Sequence, residues 1–523
     1  MATEKKGLFI GSDGKNLAFV FILVSSLFLL WGVCNGMIDV MDKHFQDELG
    51  LTKSQSAWVQ FAHYLGYFLM AMPAGWLASR LGYKGGIIAG LLIVATGGFW
   101  FIQAAHIAQF WAYLMGVCVI AAGLTFLETV ANPYTTVLGD PRYAATRINL
   151  AQSCNGAGWI FGPIIGGLFF YSKNAAGVST GSQTLYIPYA VIAVTVVVLA
   201  AVFYFAEVPD IRAEDDYRLD ENGNVAAEAS GPERQFSRGL VYCLLWLNAA
   251  VLIFACGMIL WVILSTLKVS ERRVNSILEI GGAVALAAAA AVLAPIARKI
   301  SHRSIWSHPH FSAATLAQFF YVAAQAGIFS FFINYMTSEM PAMPASWAGG
   351  FLHGWLETGK HGFLHLSDQG ASNLASVGFV CFLVGRFTGA GLLRRFSAHR
   401  MLGLYALMNV AMTLLVFFKL GWLSVACVFL SYFFMSIMFP TIFALGIFGL
   451  GARAKKASGF IVMAIMGGAI LPKLMGAVAD KWDMSRGFIV PMVCFGLVAL
   501  YGLNWSWFSK ADSLQGGGPL AGH

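Results

Sequence analysis

Apolar stretches long enough to cross a bilayer recur along almost the whole of this chain, and that recurrence limits its fold more than any single motif. A spanning helix needs about 20 mostly apolar residues, because each residue rises about 1.5 Å through a hydrocarbon core about 30 Å thick. Six such stretches lie near 17–38, 56–79, 85–104, 110–138, 146–171 and 186–206. Two more lie near 240–264 and 275–297, and a final six near 310–337, 371–393, 400–418, 422–448, 457–478 and 487–508. Only 11% of the residues are charged, whereas soluble proteins carry about 25%, so the lipid bilayer is the expected solvent. The pattern predicts an all-α polytopic membrane protein with fourteen transmembrane helices.

The net charge of +8 would invite a nucleic-acid partner in a soluble protein. Here it has another use, since Lys and Arg collect on cytoplasmic loops and set orientation. On this map 21 of them fall on the side of the two termini and 10 on the other, which predicts cytoplasmic termini and no nucleic-acid partner. Lys268, Arg272 and Arg273 run against the rule locally. The polar segment from Glu207 to Arg238 is too poor in apolar residues to fold by itself. The start, MATEKKGLFIGSDGKN, lacks an apolar core followed by a cleavage site, so the first apolar stretch is expected to remain as a helix. All eight cysteines fall inside apolar stretches without a CxxC or metal-type spacing, which fits packing and points to no metal or cofactor.

Two halves of the chain resemble each other. Pro133 to Gly139 reads PYTTVLG and Pro440 to Gly446 reads PTIFALG, and nearly the same offset pairs the GWLASRLGYK loop at Gly75 with GAGLLRRFSAHR at Gly389. A parallel duplication of six-helix halves places a substrate cavity at their interface near the bilayer midplane. The expected organisation is a six-helix bundle over 1–206, an acidic cytoplasmic linker over 207–239, two added helices over 240–305, a second six-helix bundle over 306–510 and a tail over 511–523.

Ionisable side chains inside spans are costly and are functional candidates by default. Asp39 stands at the end of the first expected helix and Glu128 in the middle of the fourth, each without a cation one turn away in sequence. A carboxyl moved out of water without a counter-charge favours its neutral form, which lets it take up and release a proton. Either could instead be a hydrogen-bonded structural acid. Arg386 in GRFTG and Lys473 are the intramembrane cations, with structural, gating and functional readings all open. His63 could relay protons or be a satisfied core histidine. Asn149, Gln152, Ser153 and Asn155 cluster in INLAQSCNGAG, and Gln152 and Asn155 share a helix face. Amides that both donate and accept suit a ligand made of hydroxyls, although such amides also tie helices together in lipid. Tyr64, Tyr67, Phe126, Tyr134, Tyr321 and Phe331 are aromatics on which a sugar face could stack. GVSTG at Gly177 lies in an inter-helix loop rather than on a strand-to-helix turn, and neither a Walker A sequence nor HExxH occurs, so an enzyme is not expected.

FLLWGVCNGMIDVMDKHF, LETVANPYTTVLG and RINLAQSCNGAG in the first half, with AQFFYVAAQ, VGRFTGAGLLRRFSAHR, FMSIMFPTIFALGI and SGFIVMAIMGG in the second, resemble the fucose/galactose/glucose:proton symporter family of the major facilitator superfamily. The resemblance implies the major facilitator fold, two six-helix bundles to which this chain adds two central helices. It also implies proton-coupled uptake of a monosaccharide across a bacterial cytoplasmic (inner) membrane, with no cofactor besides the proton. Glu128 then takes the proton-coupling role, with Asp39 contributing to it and to sugar recognition. The resemblance implies sugar-binding roles for Asp39, Glu128, Gln152 and Asn155; Asn35, Asn132, Tyr321 and Gln325 are further expected sugar-binding residues, with Arg80, Arg386 and Arg394 expected in gating or structural roles. Before Asp39 the run Asn35, Gly36, Met37, Ile38 is poorer in amides than in the fucose permeases, and Ser79 rather than an acid precedes Arg80. The rival functions are a proton-coupled exporter of sugars or drugs and a sugar sensor that binds without transport. A monomer is expected, because the cavity lies within one chain.

Overall fold

The computed structural model describes the chain apart from residues 1–8, 11–14, 139–143, 173–183, 210–217, 220–224, 227–237, 267–269, 301–303, 344–354, 359–363, 394–395, 449, 451–453 and 510–523. The first half is built from α1 (Ala18–Leu49), the short α2 (Lys53–Ser56), α3 (Trp58–Ile107), α4 (Phe110–Val137), α5 (Ala144–Phe170) and α6 (Tyr186–Phe205). An added pair follows, α7 (Arg238–Thr266) and α8 (Glu271–Lys299). The second half comprises α9 (Pro309–Ser330), α10 (Phe332–Ser338), α11 (Asp368–Leu393), α12 (Ala398–Phe417), α13 (Trp422–Met435), α14 (Met438–Ile447), α15 (Ala454–Met463), α16 (Gly467–Lys481), α17 (Met484–Gly487) and α18 (Ile489–Ser509). Two small antiparallel ribbons, Arg218–Leu219 with Val225–Ala226 and Leu356–Thr358 with Leu364–Leu366, decorate the connections.

Fourteen strongly apolar spans were expected, and among the described residues eleven helices are long and apolar enough, or twelve if the bent pair α9 and α10 is one span. The two stretches that fall short, 56–79 and 146–171, are helical but interrupted by polar side chains. The first carries Gln60, His63, Tyr64 and Tyr67, and the second Gln152, Ser153 and Asn155. Helices that wall a polar cavity cannot be as apolar as those that face lipid on most sides. Continuity also departs from expectation: α3 contains two crossings in one helical run, joined at Gly82, whose φ of 70° only glycine adopts without strain. α9 and α10 meet at a 44° bend beside Phe331.

α1 and α5 cross glycine on glycine. A Cβ on Gly32 would strike the Asn155 carbonyl oxygen, one on Gly158 the Leu29 carbonyl oxygen, and one on Gly162 would sit 2.6 Å from the Gly36 Cα. Small residues at such crossings let backbones approach and replace the hydrophobic drive that lipid does not supply.

The added pair is asymmetric. α8 turns Ile280, Val284 and Val292 outward, while α7 lies over the seam between the halves, where Ala255 joins Phe61 of α3, Phe319 of α9 and Met466, Ala469 and Ile470 beside and in α16. Trp261 of α7 stacks on Trp58 of α3 at 5.4 Å, and the Lys473 ammonium of α16 stands 3.3 Å from the Trp58 ring and 3.8 Å from the Trp261 ring. The intramembrane cation is thus held by two indole faces and, among the described residues, has no hydrogen-bond partner. Trp261→Ala should cost about 1–2 kcal/mol of stability, read as earlier thermal unfolding of the detergent-solubilised protein. Trp261→Phe, which keeps a π face, should cost less.

Candidate functional site

α1, 32 residues long, runs from Ala18 on one face of the molecule to Leu49 on the opposite face, so its middle third lies near the centre. Asp39 was expected at a helix end near the interface. The helix runs eleven residues past Ile38, however, and Asp39 is buried, at 6% exposure. One of its oxygens accepts from the Gln60 amide of α3 at 3.1 Å and the other has no partner. Glu128, in the middle of α4, is 2% exposed, and among the described residues neither of its oxygens has a hydrogen-bond partner. Tyr64 of α3 lies in electrostatic reach of Asp39, Glu128 and Tyr321, and Tyr67 in reach of Glu128. The Trp31 indole donates to the Tyr67 hydroxyl at 2.7 Å. His63 is buried edge-on against Tyr64, with its Nδ1 unbonded.

The amides divide into two kinds. Gln152, half-buried, donates to the Asn132 side-chain oxygen at 3.0 Å, which joins α5 to α4. Asn155 is spent on packing in this conformation: it donates to the Phe28 carbonyl at 3.3 Å and accepts from the Trp159 indole at 3.1 Å. The side-chain oxygen of Asn35 is buried without a partner. Asn149 lies in α5, but its side chain is outside the described residues.

The second half supplies the facing wall. Gln325 is half-buried in α9, and Tyr321 donates its hydroxyl to the Met435 carbonyl at 3.0 Å, so it acts first as a tie between α9 and α13. Arg386 of α11 reaches across, donating to the Gln152 carbonyl at 3.1 Å and to the Ser436 carbonyl at 3.3 Å. Arg80 is exposed and lies 4.2 Å over the Trp76 ring; Arg394 is outside the described residues. Sequence reading missed an aromatic cluster that closes the centre. Trp159 of α5 lies 4.9 Å from Phe379 and 5.4 Å from Phe329, and Phe329 stacks on Tyr432 at 4.6 Å. Tyr432 is in electrostatic reach of Asp39, and its hydroxyl has no partner.

On the opposite face the halves are joined. Asn334 donates to Gln46 at 2.6 Å, the Lys53 backbone N–H to Asp480 at 3.0 Å, and the Ser372 hydroxyl to the Pro163 carbonyl at 2.7 Å. Two helical halves joined at one face around buried acids are the geometry of an alternating-access carrier. Among the described residues no group of His, Cys, Asp and Glu could hold a metal ion.

The Major Facilitator Superfamily profile matches residues 18–347, more than half the chain. The chain belongs to the major facilitator superfamily. As a facilitator it is a multi-pass membrane transporter, and its relatives are sugar carriers. It is 33% identical over 482 residues to the L-fucose-proton symporter of Escherichia coli K12, with 92% of each chain covered. It is 26% identical over 493 residues to a glucose/galactose transporter of Brucella abortus, covering 94% of this chain and 95% of the relative. A crystal structure of the E. coli fucose symporter in the outward conformation superposes with a TM-score of 0.57 at 30% identity, over 93% of this facilitator and 98% of that chain.

Proposed function

We propose that the chain is a proton-coupled symporter that carries a monosaccharide of the fucose, galactose or glucose kind into a bacterial cell across the cytoplasmic membrane. Both termini then lie in the cytoplasm, the face joined by Gln46 and Asn334 is periplasmic, and the protein works as a monomer with the proton as coupling ion and no cofactor. The observation that carries this reading is Glu128, buried at mid-membrane with both carboxyl oxygens unpartnered. An acid so placed is stable only when neutral, so its ionised state needs either an open path to water or a partner that arrives with the substrate.

The mechanism follows from that constraint. Opening to the periplasm parts the Gln46–Asn334, Lys53–Asp480 and Ser372–Pro163 bonds and admits sugar and proton together. Gln152 and Asn132 already bond to each other, and their remaining donors and acceptors match sugar hydroxyls, with Asn35, Asn155, Asp39 and Gln325 alongside. The ring cluster of Trp159, Phe329 and Tyr432 offers apolar faces for stacking. Arg386 bridges α5 and α11 and tightens or releases as the bundles over 1–206 and 306–510 rock. The added pair takes no part in this path. Gln60 keeps one oxygen of Asp39 occupied, leaving the other for a sugar hydroxyl.

Cells expressing the protein in weak buffer should show alkalinisation of the medium when one of fucose, galactose, glucose, mannose or fructose is added. Binding without flux would make the protein a sensor. Failure to accumulate any of these sugars under an inward proton gradient, with surface expression confirmed, would point to export.

A further inference from the structure

A third acid on α1 is left unused by this scheme. Asp42 is 0% exposed, one helical turn beyond Asp39 towards Leu49, and among the described residues neither of its carboxyl oxygens meets a donor in good hydrogen-bond geometry. Its polar neighbours are Gln60 of α3, whose amide is given to Asp39, and Ser330 of α9. Ser330 is the last residue of α9 before the 44° bend, and its hydroxyl is also unpartnered. An acid of the first half is therefore buried against the hinge of a broken helix in the second half.

The groups around it are mostly neutral. Asp39 faces it from its own helix, Tyr64 from α3 and Tyr171 from beyond the end of α5. One turn further along α1, Gln46 holds Ser56 of α2 and Asn334 of α10. Lys43, next in sequence, turns away to Asp47 at 2.6 Å and Asp368 at 3.7 Å. Among the described residues no cation pairs with Asp42. A carboxylate buried without a cation, with only the Ser330 hydroxyl and the shared Gln60 amide within reach, costs several times what a neutral acid does, and its repulsion by Asp39 adds to that. Joined halves thus require Asp42 as the neutral acid, and its anion requires the halves to part so that water can reach it.

Resting on the symport reading above, we propose that Asp42 is a gating residue whose protonation from the periplasmic side permits that face to close. One O–H bond forms, its proton coming from periplasmic water, and reopening returns the proton to the same side. Asp42 therefore adds nothing to the protons carried per sugar. It makes closure sensitive to external pH, whereas Glu128 carries the coupling proton.

The test separates the two roles. Exchange of labelled for unlabelled sugar needs the bundles to rock but needs no net proton movement, so it is measured in the wild type and in Asp42→Asn against external pH. Titration of Asp42 should contribute a fall of up to about tenfold per unit of pH, so the fall should be markedly shallower in Asp42→Asn than in the wild type. Asp42→Glu should restore the steeper fall. A fall equally steep in Asp42→Asn overturns the proposal. Infrared difference spectra of the purified protein give an independent reading without sugar. The wild type at neutral pH should show a protonated-carboxyl band that Asp42→Asn removes or, if that variant does not fold, that Asp42→Glu shifts. A spectrum unchanged by either substitution overturns the proposal, while absence of exchange with every sugar in the wild type would instead count against the symport reading.

Discussion

Glu128→Gln should abolish sugar-driven proton uptake while leaving sugar exchange in place. The substitution keeps the shape of the side chain and fixes it in a neutral state, so the carrier can still close over its cargo. What it loses is the coupling. A gradient of one pH unit stores about 1.4 kcal/mol per proton and can hold sugar about tenfold above the outside level. In the variant, accumulated sugar should fall to the external concentration and alkalinisation to background, both measured in cells matched for surface expression. Equal accumulation by variant and wild type would remove Glu128 from the coupling role and shift attention to Asp39.

The second large effect is structural. Gly158→Val should prevent stable assembly, because a Cβ there would strike the Leu29 carbonyl and lie 2.8 Å from the Gly32 Cα. Backbone cannot yield as a flexible side chain does, so α1 and α5 must separate at an expected cost of about 3 kcal/mol or more. The separation would also break the Asn155 tie to Phe28 and move Asp39 away from Gln60. Size-exclusion chromatography of a fluorescent fusion should show aggregate in place of a monodisperse peak. Gly281→Val on α8, where a Cβ would meet nothing within 4 Å, is the matched control and should behave as wild type.

How much of this could be read from the sequence follows from where each interaction lies along the chain. Glu128 was legible because a lone carboxyl in an apolar run is costly wherever its helix packs. Gln152 was legible as an amide on a helix face, but its bond to Asn132 depends on how α4 and α5 meet. The depth of Asp39 was not legible. Hydropathy drops at Asp39, Asp42, Lys43 and His44, which looks like the exit from the membrane, yet α1 continues to Leu49 and buries Asp39, Asp42 and His44. The same drop hid Asp42 as a loop residue. The cluster of Trp159, Phe379, Phe329 and Tyr432 joins four helices distant in sequence, and no local pattern distinguishes these rings from those that face lipid. The Lys473 ammonium looked like an isolated charge because its partners, Trp58 and Trp261, are more than two hundred residues away.

That triad also changes how the carrier meets its solvent. The junction between the bundles reaches the membrane along two flanks, one between α3 and α16 and the other between α5 and α11. α7 is wedged over the first, packed through Ala255 and fastened by Trp261. Acyl chains can press into the junction from one flank only, so bilayer thickness and lateral pressure act on the rocking motion with a lever arm on a single side. Carriage by this molecule should therefore respond to the lipid around it more like a door hung on one jamb than like a symmetric pair of leaves.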